Sequence, residues 1–356
     1  MDKIAAAFGE AIAGKVFSGA QWIAGRGAKT LYRGAFGSLS HEPGARPVGD
    51  YSLFDIASLT KPVATTTLCM LAWQSGRLDL EAQLQDYLPE FRRKEALTVR
   101  QLLQHHSGLP AWLPLFEAAR GKGWSYEQVR EFYLARIAEV PLEAPPVTKR
   151  IYSDLGFILL GFLLEELAGR RLEGLFWDEV AVPLGMTRTM FHPLNHPDRV
   201  MPQDIAATEL CPWRGRLLCG EVHDDNAHVL GGAAGHAGLF GNALDLEIFA
   251  REILAARRGA GRLLRREAFL AFFDGEAPLK LGWDTVSPSG SQAGRYFAPN
   301  SSIGHLAFTG CSLWIDLADE KYAVLLTNRV HPSRDNEAIK EFRPRIYDLF
   351  WENPPA

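Results

Sequence analysis

Ser58 and Lys61 are the residues of this chain whose types and spacing point most directly to chemistry. They lie in Phe54-Asp55-Ile56-Ala57-Ser58-Leu59-Thr60-Lys61-Pro62-Val63, where a strand-like apolar run gives way to a helical one. On a helix, positions i and i+3 share a face, so the Lys61 nitrogen reaches the Ser58 hydroxyl. A serine hydroxyl is a weak nucleophile at neutral pH and needs an adjacent base or a lowered pKa. The partial positive charge of a helix N-terminus favours developing anionic character there. Ser-x-x-Lys also recurs by chance, and the bland reading is a helix start capped by its serine. Further elements along the chain favour the chemical reading.

The second element is Ile151-Tyr152-Ser153-Asp154-Leu155-Gly156, just before an apolar helical run to Leu167. Tyr152 either packs its ring on the core or presents its phenol to the cleft that holds Ser58. In the second case neighbouring cations lower the phenol, and its phenolate serves as a base. The third element is Gly304-His305-Leu306-Ala307-Phe308-Thr309-Gly310-Cys311-Ser312, leading into a strand at Leu313-Trp314-Ile315. Backbone N–H groups on such an edge, with the Ser58 N–H, suit an oxyanion hole.

Other polar residues carry less. His223-Asp224-Asp225 and His236 match no standard metal-ligand spacing, so hydrogen bonds that brace loops are the expected role. His236 sits between glycines and is a candidate for the cleft lining. His105 and His106 lie at a helix end, where cationic character suits the dipole. A Ser-His-Asp triad is the mechanistic rival, but no Gly-x-Ser-x-Gly elbow surrounds Ser58. Trp213 is either a loop anchor or a wall of the cleft.

Elements at both ends of the chain must position these groups. Residues 3–13 read as an amphipathic helix with Ile4, Phe8 and Ile12 on one stripe. Gly19–Ala24 and Thr30–Ala35 read as strands joined by a glycine-containing turn. Near the C-terminus, Ser312–Ile315 and Tyr322–Thr327 read as strands around an Asp-rich turn. Residues 335–350 then read as a helix with Ile339, Phe342, Ile346 and Leu349 inward. The middle is mainly helical, and 190–235, rich in Gly, Pro, His and Asp, reads as long loops. The expectation is an α+β fold: an antiparallel sheet built from both termini (1–60 plus 240–356) and flanked by helices, with an inserted, mainly helical region (61–239). All of 1–356 is expected to form one catalytic unit.

With 356 residues, 47% hydrophobic and 22% charged, the composition suits a large globular core. A net charge of -4 without Lys/Arg blocks argues against a nucleic-acid surface. Cys69 lies in an apolar helical run and reads as a buried thiol. A Cys211–Cys219 bridge is conceivable, but reduced thiols are expected. No signal peptide is visible, and the longest apolar run, Leu155 to Leu164, is too short to span a bilayer. A cytoplasmic location is expected on those grounds.

Taken in order, the three elements resemble the serine β-lactamase and penicillin-binding-protein superfamily. The chain is most similar to class C β-lactamase-like serine hydrolases, including family VIII carboxylesterases. The resemblance covers nearly the whole chain. It includes the Ser-x-x-Lys flanks, Leu102-Leu103-Gln104-His105-His106-Ser107-Gly108-Leu109-Pro110, and the glycine-rich segment Gly232 to Phe240. It implies a β-lactamase/transpeptidase-like fold and an acyl-enzyme on Ser58. Lys61 and Tyr152 would share the proton traffic, with Lys61 keeping the phenol acidic. The Ser58 and Phe308 N–H groups would hold the oxyanion. No metal or organic cofactor is implied.

Two positions depart from the family pattern. His305-Leu306-Ala307 stands where the family has Lys-Thr-Gly, a set that helps bind a β-lactam carboxylate. A register on Phe308-Thr309-Gly310 would restore Thr-Gly but not Lys; the first register gives the expected strand offset. Asp154 stands in place of Asn, and either holds the Lys61 ammonium or points away as a helix cap. The expected substrate is a short-chain ester, with Asp154, His236, His305, Leu306, Ala307 and Trp213 as candidates for binding it. A β-lactamase or D,D-peptidase is the enzymatic alternative. A non-catalytic penicillin-binding-type sensor or binder is the alternative of another class. The expected partner is a small ester or amide, not nucleic acid or membrane.

Overall fold

The computed structural model describes residues 2–93, 96–274, 280–287 and 291–355. The chain ends meet in one antiparallel sheet. β1 (Gly19–Arg26) pairs with β2 (Lys29–Gly37) on one side. β3 (Phe54–Asp55), β4 (Met190–Phe191), β5 (Ala207–Cys211), β6 (Arg216–Cys219) and β7 (Leu239–Gly241) belong to smaller sheets. β8 (Asp284–Thr285), β9 (Ser302–Leu306), β10 (Ser312–Asp316) and β11 (Lys321–Thr327) complete the large sheet, ordered β2-β1-β11-β10-β9-β8. β1 and β11 are in register from Ala20 opposite Thr327 to Arg26 opposite Lys321, so the two ends of the chain close the sheet.

One face of this sheet carries the helices Asp2–Ala13 and Ile339–Trp351. Phe8 lies against Phe342 at 5.2 Å between ring centres, and Trp22 of β1 against Tyr347 at 5.1 Å. The C-terminal helix begins at Ile339, later than 335, because the chain around Asn336 turns to bond Lys15 O (2.8 Å) and Val16 O (3.2 Å). Its inward stripe runs Ile339, Phe342, Arg343, Ile346, Tyr347, Phe350, the helical repeat that leaves Leu349 half-buried.

The other face meets the helical region. The helix Asp154–Ala168 is buried on nearly all sides, which its unbroken apolar sequence requires. The stretch 190–235 is not all loop. β5 and β6 form a hairpin around Pro212–Gly215, and a short helix spans Asp225–Val229. Pairing places Cys211 opposite Arg216 and Cys219 opposite Ala207, so these two cysteines are free. Cys69 is a buried thiol, raised by that burial. Among the described residues, no helix is long and apolar enough to cross a membrane.

Candidate active site

Ser58 lies in a turn of 3-10 helix (Ala57–Leu59) directly after β3, and Lys61 opens a π-helical turn (Lys61–Thr66). Neither is in the regular α-helix that the spacing suggested, yet Lys61 Nζ is 3.0 Å from Ser58 Oγ. Ala57, just before Ser58, has φ +42, a left-handed conformation that alanine adopts only under constraint. The Asp55 carboxylate supplies one, accepting the Ala57 N–H at 2.8 Å and the His223 N–H at 2.7 Å.

Lys61 is fully buried, and its nitrogen is surrounded by oxygen atoms besides the Tyr152 phenol. These are Ser58 Oγ at 3.0 Å, His236 O at 3.2 Å and Asp154 Oδ1 at 2.7 Å. Burial works against the charge, but the Asp154 carboxylate and the Tyr152 phenol outweigh it and raise the amine above its ordinary value. Asp154 is therefore the counter-charge of Lys61 and not a cap. Ser153 caps the helix instead, its Oγ accepting from Gly156 N–H at 3.2 Å.

The Tyr152–Asp154 loop rests on the 105–111 stretch. Ile151 N–H donates to His105 O (2.8 Å), Asp154 N–H to Ala111 O (2.8 Å), and Ser153 N–H to His105 Nδ1 (3.0 Å). That last bond needs a lone pair on the ring. Burial, then Arg150 and Lys61, push His105 well below the usual imidazole value. His105 is thus neutral, contrary to the cationic helix-end reading, because the helix dipole cannot offset full burial beside two cations.

Tyr152 keeps its ring 37% exposed to the cleft while its phenol contacts Lys61 and Ser58. Burial of the hydroxyl pushes the phenol up to about 12; Lys61 pulls it down, and Asp154 adds to the rise. The expected acidic phenol is not what this environment produces, since burial of the hydroxyl outweighs the pull of the ammonium.

The Gly-rich segment supplies the floor. Gly235 packs so closely on the helix Asp154–Ala168 that a Cβ there would stand 2.0 Å from Phe157 O. This approach carries the His236 carbonyl to Lys61. The His236 ring turns away, buried, to Asp224 Oδ1 at 2.8 Å, so it braces the cleft from behind. His223 likewise pairs with Glu209 at 3.1 Å. Trp213 is a loop anchor: its Nε1 donates to Asp225 Oδ1 at 2.7 Å and its ring packs on Phe116. Among the described residues no cluster of His, Cys, Asp or Glu is placed to hold a metal.

The cleft has a volume of about 570 Å³ and is lined by Ser58, Tyr152 and Asp154, by His305 and Leu306 of β9, and by Phe308 of the turn that follows it. His305 ends β9 as a neutral ring, lowered mainly by burial, with Nδ1 spent on Leu306 O at 2.7 Å. Ala307 is buried and the Phe308 ring is exposed at the mouth. Sequence reasoning passed over Trp112, Asp284 and Arg343, which also line this cleft. Arg343 had a visible signal: a charge inside the apolar stripe of a C-terminal helix.

The Beta-lactamase family profile matches residues 4–344, and the chain belongs to that family. It is a serine hydrolase with the β-lactamase/transpeptidase-like fold. A protein of Escherichia coli (strain K12) named "Putative D-alanyl-D-alanine carboxypeptidase" is 32% identical over 336 residues, 85% of this chain and 76% of that one. The N-acetylmuramyl-L-alanine amidase of Bacillus subtilis (strain 168) is 30% identical over 351 residues, 88% of this chain and 78% of its own. Among solved structures, EstCE1, a hydrolase with promiscuous acyltransferase activity, superposes with a TM-score of 0.73 at 21% identity, covering 97% of this chain and 98% of its own. That degree of identity speaks for the fold alone.

Proposed function

We propose that this hydrolase is a carboxylesterase for short-chain esters, working through an acyl-enzyme on Ser58. The observation that carries the reading is the Ser58 hydroxyl held 3.0 Å from Lys61 Nζ, with the Tyr152 phenol beside both. With Lys61 an ammonium and Tyr152 a neutral phenol, the proton path is a relay. Ser58 Oγ attacks the ester carbonyl and gives its proton to the Tyr152 oxygen. Tyr152 passes its own proton to the leaving alkoxide, so the cluster gains and loses no charge. Water then attacks the acyl-enzyme, its proton goes to Tyr152, and the Tyr152 proton returns to Ser58. The developing oxyanion sits between the N–H groups of Ser58 and Phe308.

The preference for a neutral ester rests on the β9 edge. His305 is uncharged and its Nδ1–H is spent, so it offers a substrate a lone pair and repels a carboxylate. Leu306, Ala307 and Phe308 add apolar surface beside it. Asp154, rather than Lys61's phenol partner, sets the charge of the site. We take 1–356 as one catalytic unit because groups from both the helical and the sheet parts meet at this cleft.

A second reading, an amidase or D,D-peptidase on small wall-derived substrates, is favoured by the names of the relatives. Initial rates on p-nitrophenyl butyrate, a D-alanyl-D-alanine peptide, N-acetylmuramyl-L-alanine and a chromogenic cephalosporin separate the two. The esterase reading expects butyrate to be turned over fastest; faster cleavage of either amide substrate would replace it.

A further inference from the structure

The turn after β9 is wrapped around two arginines. Every carbonyl from Ala307 to Cys311 accepts a hydrogen bond from within the protein. Arg343 places Nε on Gly310 O (3.1 Å) and Nη2 on both Ala307 O (2.9 Å) and Cys311 O (3.1 Å), with Nη1 held by Gln292 Oε1 at 2.7 Å. Arg329 places Nε on Phe308 O (2.6 Å) and its backbone N–H on Thr309 O (2.9 Å). The Phe308 ring lies between the Arg329 guanidinium, 4.3 Å from its centre, and the His223 ring, 5.6 Å away.

This is an unusual use of buried cations. Arg343 is almost fully buried, and among the described residues its partners are carbonyl oxygens and an amide, not a carboxylate. Burial lowers it to about 10, still a cation at neutral pH. A buried charge without a counter-ion is costly, so the fold retains it against a penalty.

Drawing the carbonyls inward has a consequence for the amide groups. The Ala307 N–H closes on Cys311 O (2.8 Å) and the Gly310 N–H on Ala307 O (3.0 Å), while the Phe308 N–H has no acceptor among the described residues. Gly310 has φ +103, and a Cβ there would stand 2.0 Å from Thr327 Oγ1, so the turn admits only glycine at that point. The turn is also tied to the serine: Thr309 Oγ1 donates to Asp55 O at 2.7 Å, at the end of β3 just before Ser58.

We propose that Arg343, with Arg329 as a second anchor, is the positioning residue of the oxyanion hole. Its planar fork grips three carbonyls of the turn at once and so fixes the Phe308 N–H on the cleft side. Its uncompensated positive charge, set behind the turn, also favours the negative charge that develops on the tetrahedral intermediate. The proposal rests on Ser58 as nucleophile and Phe308 as oxyanion donor. It assigns Arg343 no contact with the reacting atoms.

The test is kinetic. Wild type, Arg343→Lys and Arg343→Met are compared for kcat and KM on p-nitrophenyl butyrate and for inhibition by butylboronic acid, which forms a tetrahedral serine adduct, with loss of boronate binding in Ser58→Ala locating that adduct. Lysine keeps the charge but not the fork. The expected result is a kcat loss of about tenfold for lysine and about 10²-fold for methionine, with KM nearly unchanged. Boronate affinity should weaken by the same factor as kcat/KM, as transition-state binding requires. A folded variant with wild-type kcat overturns the proposal, and so does a kcat loss with boronate affinity intact. Arg343→Lys decides the matter should the methionine variant fail to fold. A wild-type adduct absent from Ser58 overturns the nucleophile assignment, and the proposal with it; an adduct on Ser58 with unchanged variants overturns the proposal alone.

Discussion

The Asp154 carboxylate stands 2.7 Å from the Lys61 ammonium, and the amine is fully buried. This pair sets the protonation of the whole cluster. With the Tyr152 phenol the carboxylate raises the Lys61 amine above its ordinary value against the cost of burial. An asparagine at this position would remove that counter-charge; with the aspartate, burial and the Asp154 charge together keep the phenol protonated.

Asp154→Asn should move both groups in the same direction. Asp154 raises Lys61 and raises Tyr152, so its removal lowers both. If the neutral phenol is the working form, the alkaline fall of kcat/KM moves to lower pH in the variant. A variant whose activity climbs with pH instead would identify the phenolate as the base. The pair also stabilises the fold. Lys61 is raised in the native state, so this stability is whole below the unfolded lysine value of about 10.4 and is lost as pH rises through the native value. Breaking a buried pair by removing one partner costs about 3–5 kcal/mol, so a clear fall in Tm is expected at neutral pH.

Tyr152→Phe removes the relay and keeps the ring. A loss of about 10²-fold or more in kcat is expected, with Lys61→Ala costing at least as much. A phenylalanine variant with normal kcat would make the phenol a packing group.

His105 predicts an acid-side weakness. Its native value lies well below the ordinary histidine value of about 6.5, so the neutral ring contributes stability that is present above that value and lost as pH falls through the native one. Urea unfolding between neutral and mildly acidic pH should show this decline. His105→Asn, which keeps an acceptor for the Ser153 N–H, should flatten it; an unchanged slope would assign the decline to other groups.

Gly235→Ala tests the contact that brings the His236 carbonyl to Lys61. The new methyl would lie 2.0 Å from Phe157 O and 2.9 Å from Gly161 N, both backbone atoms that cannot swing aside. A large loss of Tm with kcat falling in the surviving folded fraction is expected. A variant of wild-type stability would mean that the segment shifts freely.

The sheet was legible because its strands carry their own pattern: β1 and β11 are apolar runs bounded by turn residues, and the terminal helices have clean stripes at Ile4, Phe8 and Ile339, Phe342, Ile346. The serine–lysine–tyrosine cluster was legible from the types and flanks of its residues. What escaped was decided in three dimensions. The β5–β6 hairpin hid behind Pro212 and Gly215, which read as loop but form its turn. The phenol's rise depends first on burial of its hydroxyl and then on Asp154 facing Lys61, and only packing settles either. The neutrality of His105 follows from burial, which a histidine at a helix end does not announce.

The most direct test of Ser58 as the acylated nucleophile is mass spectrometry, of the intact protein and of its peptides, on wild type and Ser58→Ala mixed with p-nitrophenyl butyrate, with product absorbance followed in parallel. A butyryl adduct on the Ser58 peptide is expected in wild type, and neither adduct nor turnover in a variant that melts as wild type does. Turnover retained by Ser58→Ala, or an acyl group on any other residue, would contradict that role.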